Sequence, residues 1–140
     1  MIKKTQIHTP RLPEAKAAFP RGLKIELDNT ILFFISGTAS VSPDDSTAHV
    51  GDLYAQAMHT YQNIESLLTE QQAQFKDIVK FTIYLKDMEE YSIFNKARDD
   101  FFAQKNMSRE EFPASTCVQA HLCRQELLVE IEAIAIIPKK

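Results

Sequence analysis

Short apolar segments predict β-strands in the first quarter of the chain. Residues 23–27 and 31–36 are two such segments, and Asp28 and Asn29 between them are typical of a tight turn. This part of the sequence therefore predicts a hairpin, with Gly37 at the end of its second strand.

Two longer segments repeat their apolar side chains every three or four positions, as one face of an α-helix does. The first repeat begins beside Asp52 and consists of Leu53, Ala57, Tyr61, Ile64 and Leu68. The second consists of Tyr91, Phe94, Phe101 and Phe102, with Arg98 at the same spacing. We predict one helix from residue 52 to about residue 74 and another over residues 91–102, whose aromatic stripe belongs to the core.

Three further segments return to strand-like patterns. Residues 79–85 and 115–122 alternate between apolar and polar side chains, and residues 127–137 form a long β-rich run. The resulting order ββαβαββ predicts an α+β fold in which two helices pack on one face of a single mixed sheet.

The last two strands are predicted to pair as an antiparallel hairpin, which fixes the side chains on each face. In residues 127–137 the odd positions are all apolar, whereas in residues 115–122 the even positions are mostly apolar. A one-residue slip would turn every side chain to the wrong face, so the apolar faces must coincide. The remaining face, opposite the helices, is then predicted to contain Ser115, Cys117, Gln119, His121, Cys123, Glu130 and Glu132.

Glu130 is the candidate acid or base of this predicted face. Its neighbours Leu128 and Ile134 would partly desolvate the carboxyl group. Desolvation raises a carboxyl pKa towards the range in which the group exchanges a proton near neutral pH. The alternative is an ordinary strand glutamate, either solvated or paired across an interface, and the alternation of side chains does not decide between the two.

Cys117, His121 and Cys123 share the same predicted face, so zinc binding or a thiol–imidazole pair has to be considered. A fourth zinc ligand is missing, and a free cysteine commonly serves as a small hydrophobic residue. We therefore expect neither a metal site nor a cofactor.

Composition argues against several functional classes. A chain of 140 residues with 44% hydrophobic and 25% charged residues is typical of one globular domain. Its net charge of −3 lacks the basic excess of nucleic-acid-binding proteins, and no apolar run approaches the roughly 20 residues of a membrane span. Because no secretory signal is visible, we expect a cytoplasmic protein with reduced cysteines that binds neither nucleic acid nor membrane.

Several segments resemble the Rid (YjgF) superfamily. The clearest are Phe-Pro-Ala-Ser-Thr-Cys-Val-Gln-Ala-His-Leu at residues 112–122 and Val-Glu-Ile-Glu-Ala-Ile-Ala at residues 129–135. Further matching segments are residues 35–38, 63–68, 77–87 and 91–102. The resemblance implies one Rid-like domain over residues 1–140, in which residues 1–15 are an N-terminal extension or strand outside the clear resemblance. It also implies the chorismate-mutase-like fold, assembled as a homotrimer with three clefts between subunits.

The same resemblance implies an activity, the hydrolysis of reactive enamines and imines such as 2-aminoacrylate to 2-oxo acids and ammonia. In that family a glutamate positions the attacking water, and Glu130 matches this glutamate. The matching substrate-binding residues are Ser36, Gly37, Asn95 and Cys117.

Two positions depart from the family pattern. The family sequence Pro-Ala-Arg-Ser-Cys reads Pro-Ala-Ser-Thr-Cys here, so Ser115 replaces the arginine that holds the substrate carboxylate. Phe19 replaces a family tyrosine in the same cleft. A serine hydroxyl does not reproduce the bidentate contact of a guanidinium, so Arg21 and Arg124 are the candidates for supplying the positive charge.

A narrower resemblance points to the Rid-like domain of chorismatases, which hydrolyse the enolpyruvyl ether of chorismate. The segments that carry it are residues 19–22, 34–39, 49–52 and 122–132. In this comparison Glu130 protonates the enol ether, and Cys123 matches a residue of the cleft.

The leading prediction is a trimer that binds a small carboxylated enol or imine metabolite. If Glu130 is catalytic, the chain would hydrolyse that metabolite as a 2-iminobutanoate/2-iminopropanoate deaminase does. The alternatives are a non-catalytic metabolite-binding or regulatory protein, favoured by Ser115, and a chorismatase-like hydrolase. Endoribonuclease activity, for which some family members are named, has the least support because the chain has no basic stripe.

Overall fold

The computed structural model describes residues 2–139, which form one layer of strands and one layer of helices. The strands are β1 (Lys3–Ile7), β2 (Gly22–Glu26), β3 (Thr30–Thr38), β4 (Ile78–Leu85), β5 (Ala114–Gln119) and β6 (Val129–Pro138). The helices are α1 (Leu53–Glu70) and α2 (Tyr91–Gln104), with short 3-10 turns at Phe75–Asp77, Met88–Glu90 and Arg109–Glu111. Within the described chain, none of the helices has the length and apolarity needed to cross a membrane.

The strands form a single six-stranded sheet in the order β1-β2-β3-β6-β4-β5. Neighbouring strands are antiparallel except for β4 and β5, which are parallel. The predicted α+β class with a mixed sheet is therefore confirmed, and so is the hairpin between β2 and β3. Gly37 does not end β3 as predicted but lies inside it, at an irregularity in the pairing between Ile35 and Thr38.

The predicted pairing of the last two strands is wrong. β6 lies between β3 and β4, whereas β5 is the edge strand on the far side of β4. Residues 120–128 carry the chain past the end of β4, where Ala120 N–H donates to Leu85 O and Lys86 N–H donates to Leu128 O. β5 and β6 are thus consecutive in the chain and run in opposite directions, but β4 lies between them in the sheet. Their apolar faces therefore did not have to coincide.

This topology changes which face of the sheet β5 presents. Ser115 lies beside Phe81 and Cys117 beside Ile83, and both of these β4 side chains are buried under the helices. Ser115 and Cys117 therefore lie on the helix face. Glu130 pairs with Tyr84 on the opposite face, so the single polar face predicted from alternation does not form.

The end of α1 differs from the prediction, and the structure supplies bounds for the N-terminal strand. Helix α1 ends at Glu70 rather than near residue 74, because Gln71 is its C-cap and Gln72 takes a left-handed φ of 54°. Residues 1–15 were predicted as an N-terminal extension or strand without further bounds, and β1 is the strand among them. Its side chains are mostly exposed, and only Ile7 packs against the core, so its sequence carries little hydrophobic pattern.

The core lies between the two helices and the helix face of the sheet. Tyr61 of α1 is fully buried at its centre and stacks on Phe101 of α2, with ring centroids 5.2 Å apart. Phe94, Phe101 and Phe102 are buried, which confirms that the aromatic stripe of α2 belongs to the core. No helix of the described chain covers the opposite side of the sheet, which we call the open face. Its apolar side chains are Leu23, Ile25, Leu32, Phe34, Ile134 and Ile136.

Candidate functional site

Glu130 lies on the open face in a site that we call the Glu130 site, formed by Glu130, Gly37, Tyr84 and Glu132. Across the sheet, Glu130 is paired with Tyr84 of β4. On the β3 side, its carboxyl group is packed against Gly37, where an added Cβ would lie 3.0 Å from Oε2. A side chain at position 37 would displace the carboxyl group, so glycine is what allows the carboxylate to occupy this place.

The surroundings of Glu130 favour its protonated form. Partial burial raises its pKa above the ordinary glutamate value, and the negative charge of Glu132 raises that pKa further. Glu132 itself accepts a hydrogen bond from the Tyr84 hydroxyl, and this bond raises the pKa of Tyr84. Among the described residues no hydrogen bond reaches the Glu130 carboxyl group, so its proton is free to be given to or taken from a bound molecule.

Side chains on neighbouring elements hold the backbone around this site. The Ser36 hydroxyl donates to Pro20 O at 2.7 Å, which ties β3 to the segment that precedes β2. The wholly buried Gln56 of α1 donates to Glu126 O at 3.0 Å and accepts from Leu128 N–H at 2.8 Å. Gln56 thereby fixes the loop that leads into β6, two residues before Glu130.

A second group, the Arg98 site, lies on the helix face beside β5 and consists of Arg98, Tyr91, Asn95, Ser115 and Cys117. One guanidinium nitrogen of Arg98, Nη2, donates to Asn95 Oδ1 at 2.7 Å and to Tyr91 Oη at 2.8 Å. The other, Nη1, donates to Ser115 Oγ at 3.2 Å. Helix α2 and strand β5 are thus joined through a single arginine.

The Arg98 site borders an open depression. Its volume is about 380 Å³, and it is lined by Met88, Tyr91, Arg98, Ser115 and Cys117. Burial raises the pKa of the Cys117 thiol, and the positive charge of Arg98 opposes this shift in part. The thiol contacts the Met88 sulfur at 3.9 Å. Met88 and Cys117 therefore give the depression an apolar part beside the charged arginine.

A third group surrounds Asp45, and it contains the two arginines that were predicted to supply a charge. Arg124 forms an ion pair with Asp45, and Lys16 approaches the same carboxylate at 3.1 Å. Arg21 Nε donates to Pro13 O at 2.9 Å, and burial lowers the pKa of its guanidinium. The charge of Arg124 is therefore already matched, and Arg21 is directed towards a backbone carbonyl.

The predicted site residues do not form one constellation within one chain. Ser36, Gly37 and Glu130 lie together at the open face, and Asn95, Ser115 and Cys117 lie together at the helix face. Arg21, Cys123 and Arg124 belong to the surroundings of Asp45, and Phe19 is 46% exposed in the segment before β2.

Sequence reasoning did not identify Arg98 as a site residue. The helical spacing of Tyr91, Asn95 and Arg98 is visible in the sequence and places the three on one side of α2. Their proximity to Ser115 depends on the pairing of β5 with β4, and the prediction had that pairing wrong.

Comparisons with known proteins give a consistent result. The family model described as Endoribonuclease L-PSP matches residues 9–137. A 2-iminobutanoate/2-iminopropanoate deaminase of Escherichia coli K12 is 31% identical over 131 residues, which are 93% of this chain and 95% of the relative. A 3-aminoacrylate deaminase RutC of Acinetobacter baylyi is 31% identical over 108 residues, covering 77% of this chain and 79% of the relative. The crystal structure of E. coli TdcF with bound serine matches with a TM-score of 0.80 and 26% identity, covering 95% of this chain and 98% of that one.

Proposed function

Because the chain belongs to the Endoribonuclease L-PSP family, also known as the Rid (YjgF) family, we propose that it hydrolyses small 2-imino or enamine acids with Glu130 as acid and base. The observation that carries this proposal is the state of the Glu130 carboxyl group. It is half-buried against Gly37, its pKa is raised, and no described side chain competes for its proton. A raised pKa brings a carboxyl group closer to the range in which general acids and bases exchange protons near neutral pH.

The chemistry needs only water and this carboxyl group. Glu130 takes a proton from a water molecule as the water oxygen bonds to the imine carbon. Glu130 returns this proton to the nitrogen, which gives a tetrahedral carbon bearing a hydroxyl and an amino group. A second proton then passes from the hydroxyl group through Glu130 to the nitrogen, so that ammonia leaves as the carbon–nitrogen bond breaks and the 2-oxo group forms. No metal, nucleotide or redox partner is required to balance this reaction, so the proposal includes no cofactor.

The proposal also requires more than one copy of the chain. The Glu130 site and the Arg98 site lie on opposite faces of the sheet, with β4 between their strands. One small metabolite touches both sites only if they come from different subunits. We therefore include the homotrimer in the proposal, with Glu130 of one subunit and the Arg98 site of another lining each cleft.

The decisive experiment measures release of ammonia and 2-oxo acid from freshly generated 2-iminobutanoate and 2-iminopropanoate. Glu130→Gln should lower the rate at least about 100-fold, since general acid–base catalysis contributes that much or more. Glu70→Gln is the matched control, because Glu70 is an exposed glutamate at the end of α1, and its rate should equal that of the wild type.

Other outcomes would favour the alternatives. Binding of a 2-oxo or amino acid without turnover would indicate the metabolite-binding or regulatory protein. Hydrolysis of chorismate that depends on Glu130 would indicate the chorismatase-like hydrolase, which stays a prediction from the sequence. The word endoribonuclease describes the family model, and with a net charge of −3 we do not propose RNA cleavage for this chain.

A further inference from the structure

Arg98 is a positioned cation without an anionic partner among residues 2–139. Its three hydrogen-bond acceptors, Tyr91 Oη, Asn95 Oδ1 and Ser115 Oγ, are all neutral. Arg124, by contrast, is neutralised by Asp45. Asp99 lines a neighbouring depression together with Arg98 but forms no ion pair with it within the described residues. A half-buried guanidinium whose hydrogen-bond acceptors are all neutral is well suited to bind an incoming anion.

The guanidinium is held in place before any ligand arrives. Its central carbon lies 5.3 Å from the ring centroid of Phe94 and 5.8 Å from that of Tyr91. Stacking on aromatic rings and three neutral hydrogen bonds restrict an otherwise flexible side chain. An arginine fixed in this way loses little conformational entropy when it binds an anion.

The depression beside Arg98 indicates which anion fits. Met88 and Cys117, whose sulfur atoms are in contact, contribute an apolar part of the lining, and the depression holds about 380 Å³. A planar carboxylate matches the two-nitrogen edge of a guanidinium, and a short aliphatic chain matches the apolar part of the lining. A fully ionised phosphate would gain the charge contact but has no apolar part for Met88 and Cys117.

We propose that Arg98, with Ser115, binds the carboxylate of a small aliphatic 2-oxo or 2-imino acid, while Asn95 and Tyr91 hold the guanidinium in place. This inference deepens the proposed function and rests on it for the ligand's role as substrate. Ser115 is short enough to leave space for a guanidinium that reaches β5 from α2. The charge missing from position 115 is therefore supplied by position 98, not by Arg21 or Arg124.

Binding and turnover can be measured separately, so the two proposals can fail independently. The probe is 2-oxobutanoate, a stable carboxylate, titrated calorimetrically into the wild-type oligomer. Arg98→Gln should weaken binding roughly 10- to 100-fold, as expected for loss of a charge-assisted contact, and Arg98→Lys should lie in between. Arg109→Gln removes an exposed arginine elsewhere and should bind like the wild type. The uncharged 2-oxobutanamide should bind weakly to every variant.

Moving the arginine from position 98 to position 115 tests whether Arg98 binds the carboxylate or only stabilises the fold. In the double variant Arg98→Gln/Ser115→Arg the charge returns from β5, so at least half of the lost binding free energy should be regained. A merely structural Arg98 would instead lower the melting temperature and affect carboxylate and amide alike.

Three results would overturn the inference. They are wild-type binding of 2-oxobutanoate that Arg98→Gln leaves unchanged, no measurable binding at millimolar concentration, and inorganic phosphate binding as tightly as 2-oxobutanoate. If Glu130→Gln shows that turnover is absent while Arg98-dependent binding persists, the deaminase proposal fails and the Arg98 inference stands.

Discussion

At the scale of single residues, Glu130 and Glu132 show how neighbours on one face of one strand can differ in chemistry. Both alternate with apolar positions along β6. Tyr84 donates a hydrogen bond to Glu132, whereas Gly37 packs against Glu130 without donating one. Glu130, which packs against Gly37, is therefore the glutamate whose carboxyl group is available for proton transfer. Its partial burial should make the free energy of unfolding depend on pH.

The raised pKa of Glu130 makes stability depend on pH in a defined direction. The unfolded chain titrates this group near the ordinary value of about 4.3, and the folded chain titrates it higher. The folded state binds more protons between these two values, so stability falls as pH rises through that window. Glu130→Gln removes the effect, and its stability relative to wild type should increase from about pH 4 and then level off above the folded pKa. Urea unfolding at fixed protein concentration between pH 4 and pH 8 measures this difference. A difference that stays constant over this pH range would contradict the raised pKa of Glu130.

At the scale of elements, α1 and α2 pack through aromatic rings, with Tyr61 at their centre. The Tyr61 hydroxyl is buried and has no hydrogen-bond partner among the described residues, and burial raises its pKa far above the usual tyrosine value. Five rings lie around it, those of Phe75, Phe81, Phe94, Phe101 and Phe102. The polar atom therefore contributes a desolvation cost to the packing of the two helices.

Tyr61→Phe should leave stability unchanged or raise it by about 1 kcal/mol, because an unsatisfied buried hydroxyl is replaced by hydrogen in the same ring shape. The control is Tyr54→Phe, which removes a hydroxyl that donates to Asp100, and it should lower stability. Thermal and urea unfolding compare the two variants with wild type. A clear loss of stability in Tyr61→Phe would show that the hydroxyl is satisfied in solution.

The sequence predicted best those helices and strands that bury one side, because burial of one side produces a regular spacing of apolar residues. The stripes of both helices, the β2–β3 hairpin and the alternation in β6 follow directly from burial on one side, and the structure confirms them. Alternation does not identify the neighbour of a strand, however, and β5 has no buried position between Ala114 and Gln119 that would reveal its place at the edge. Because the neighbour of β5 was predicted wrongly, Ser115 and Cys117 were assigned to the wrong face of the sheet. For the same reason Arg98 was not included in the site.

At the scale of the whole molecule, the open face leaves an apolar patch exposed on the single chain. Phe34 is 38% exposed and Ile136 is 44% exposed, and they lie among further apolar side chains that no helix of the described chain covers. Apolar patches of this kind are typical of subunit interfaces. Glu130 lies on the same face, so contacts that bury the patch would also exclude water from around the carboxyl group.

The homotrimer remains a prediction, and its test combines mass with activity. The wild type should elute with three times the chain mass of 16.0 kDa when light scattering is measured during size-exclusion chromatography. Ile136→Lys places a charge in the centre of the apolar patch, which should dissociate the assembly because an unpaired charge is costly to bury. Ile93→Lys is the matched control, since Ile93 is 42% exposed on α2, and its assembly should be unchanged. If Glu130 and Arg98 of different subunits form each cleft, as we propose, deaminase activity should be lost together with the trimer in Ile136→Lys. A monomeric variant with wild-type activity would show that one chain contains a complete site.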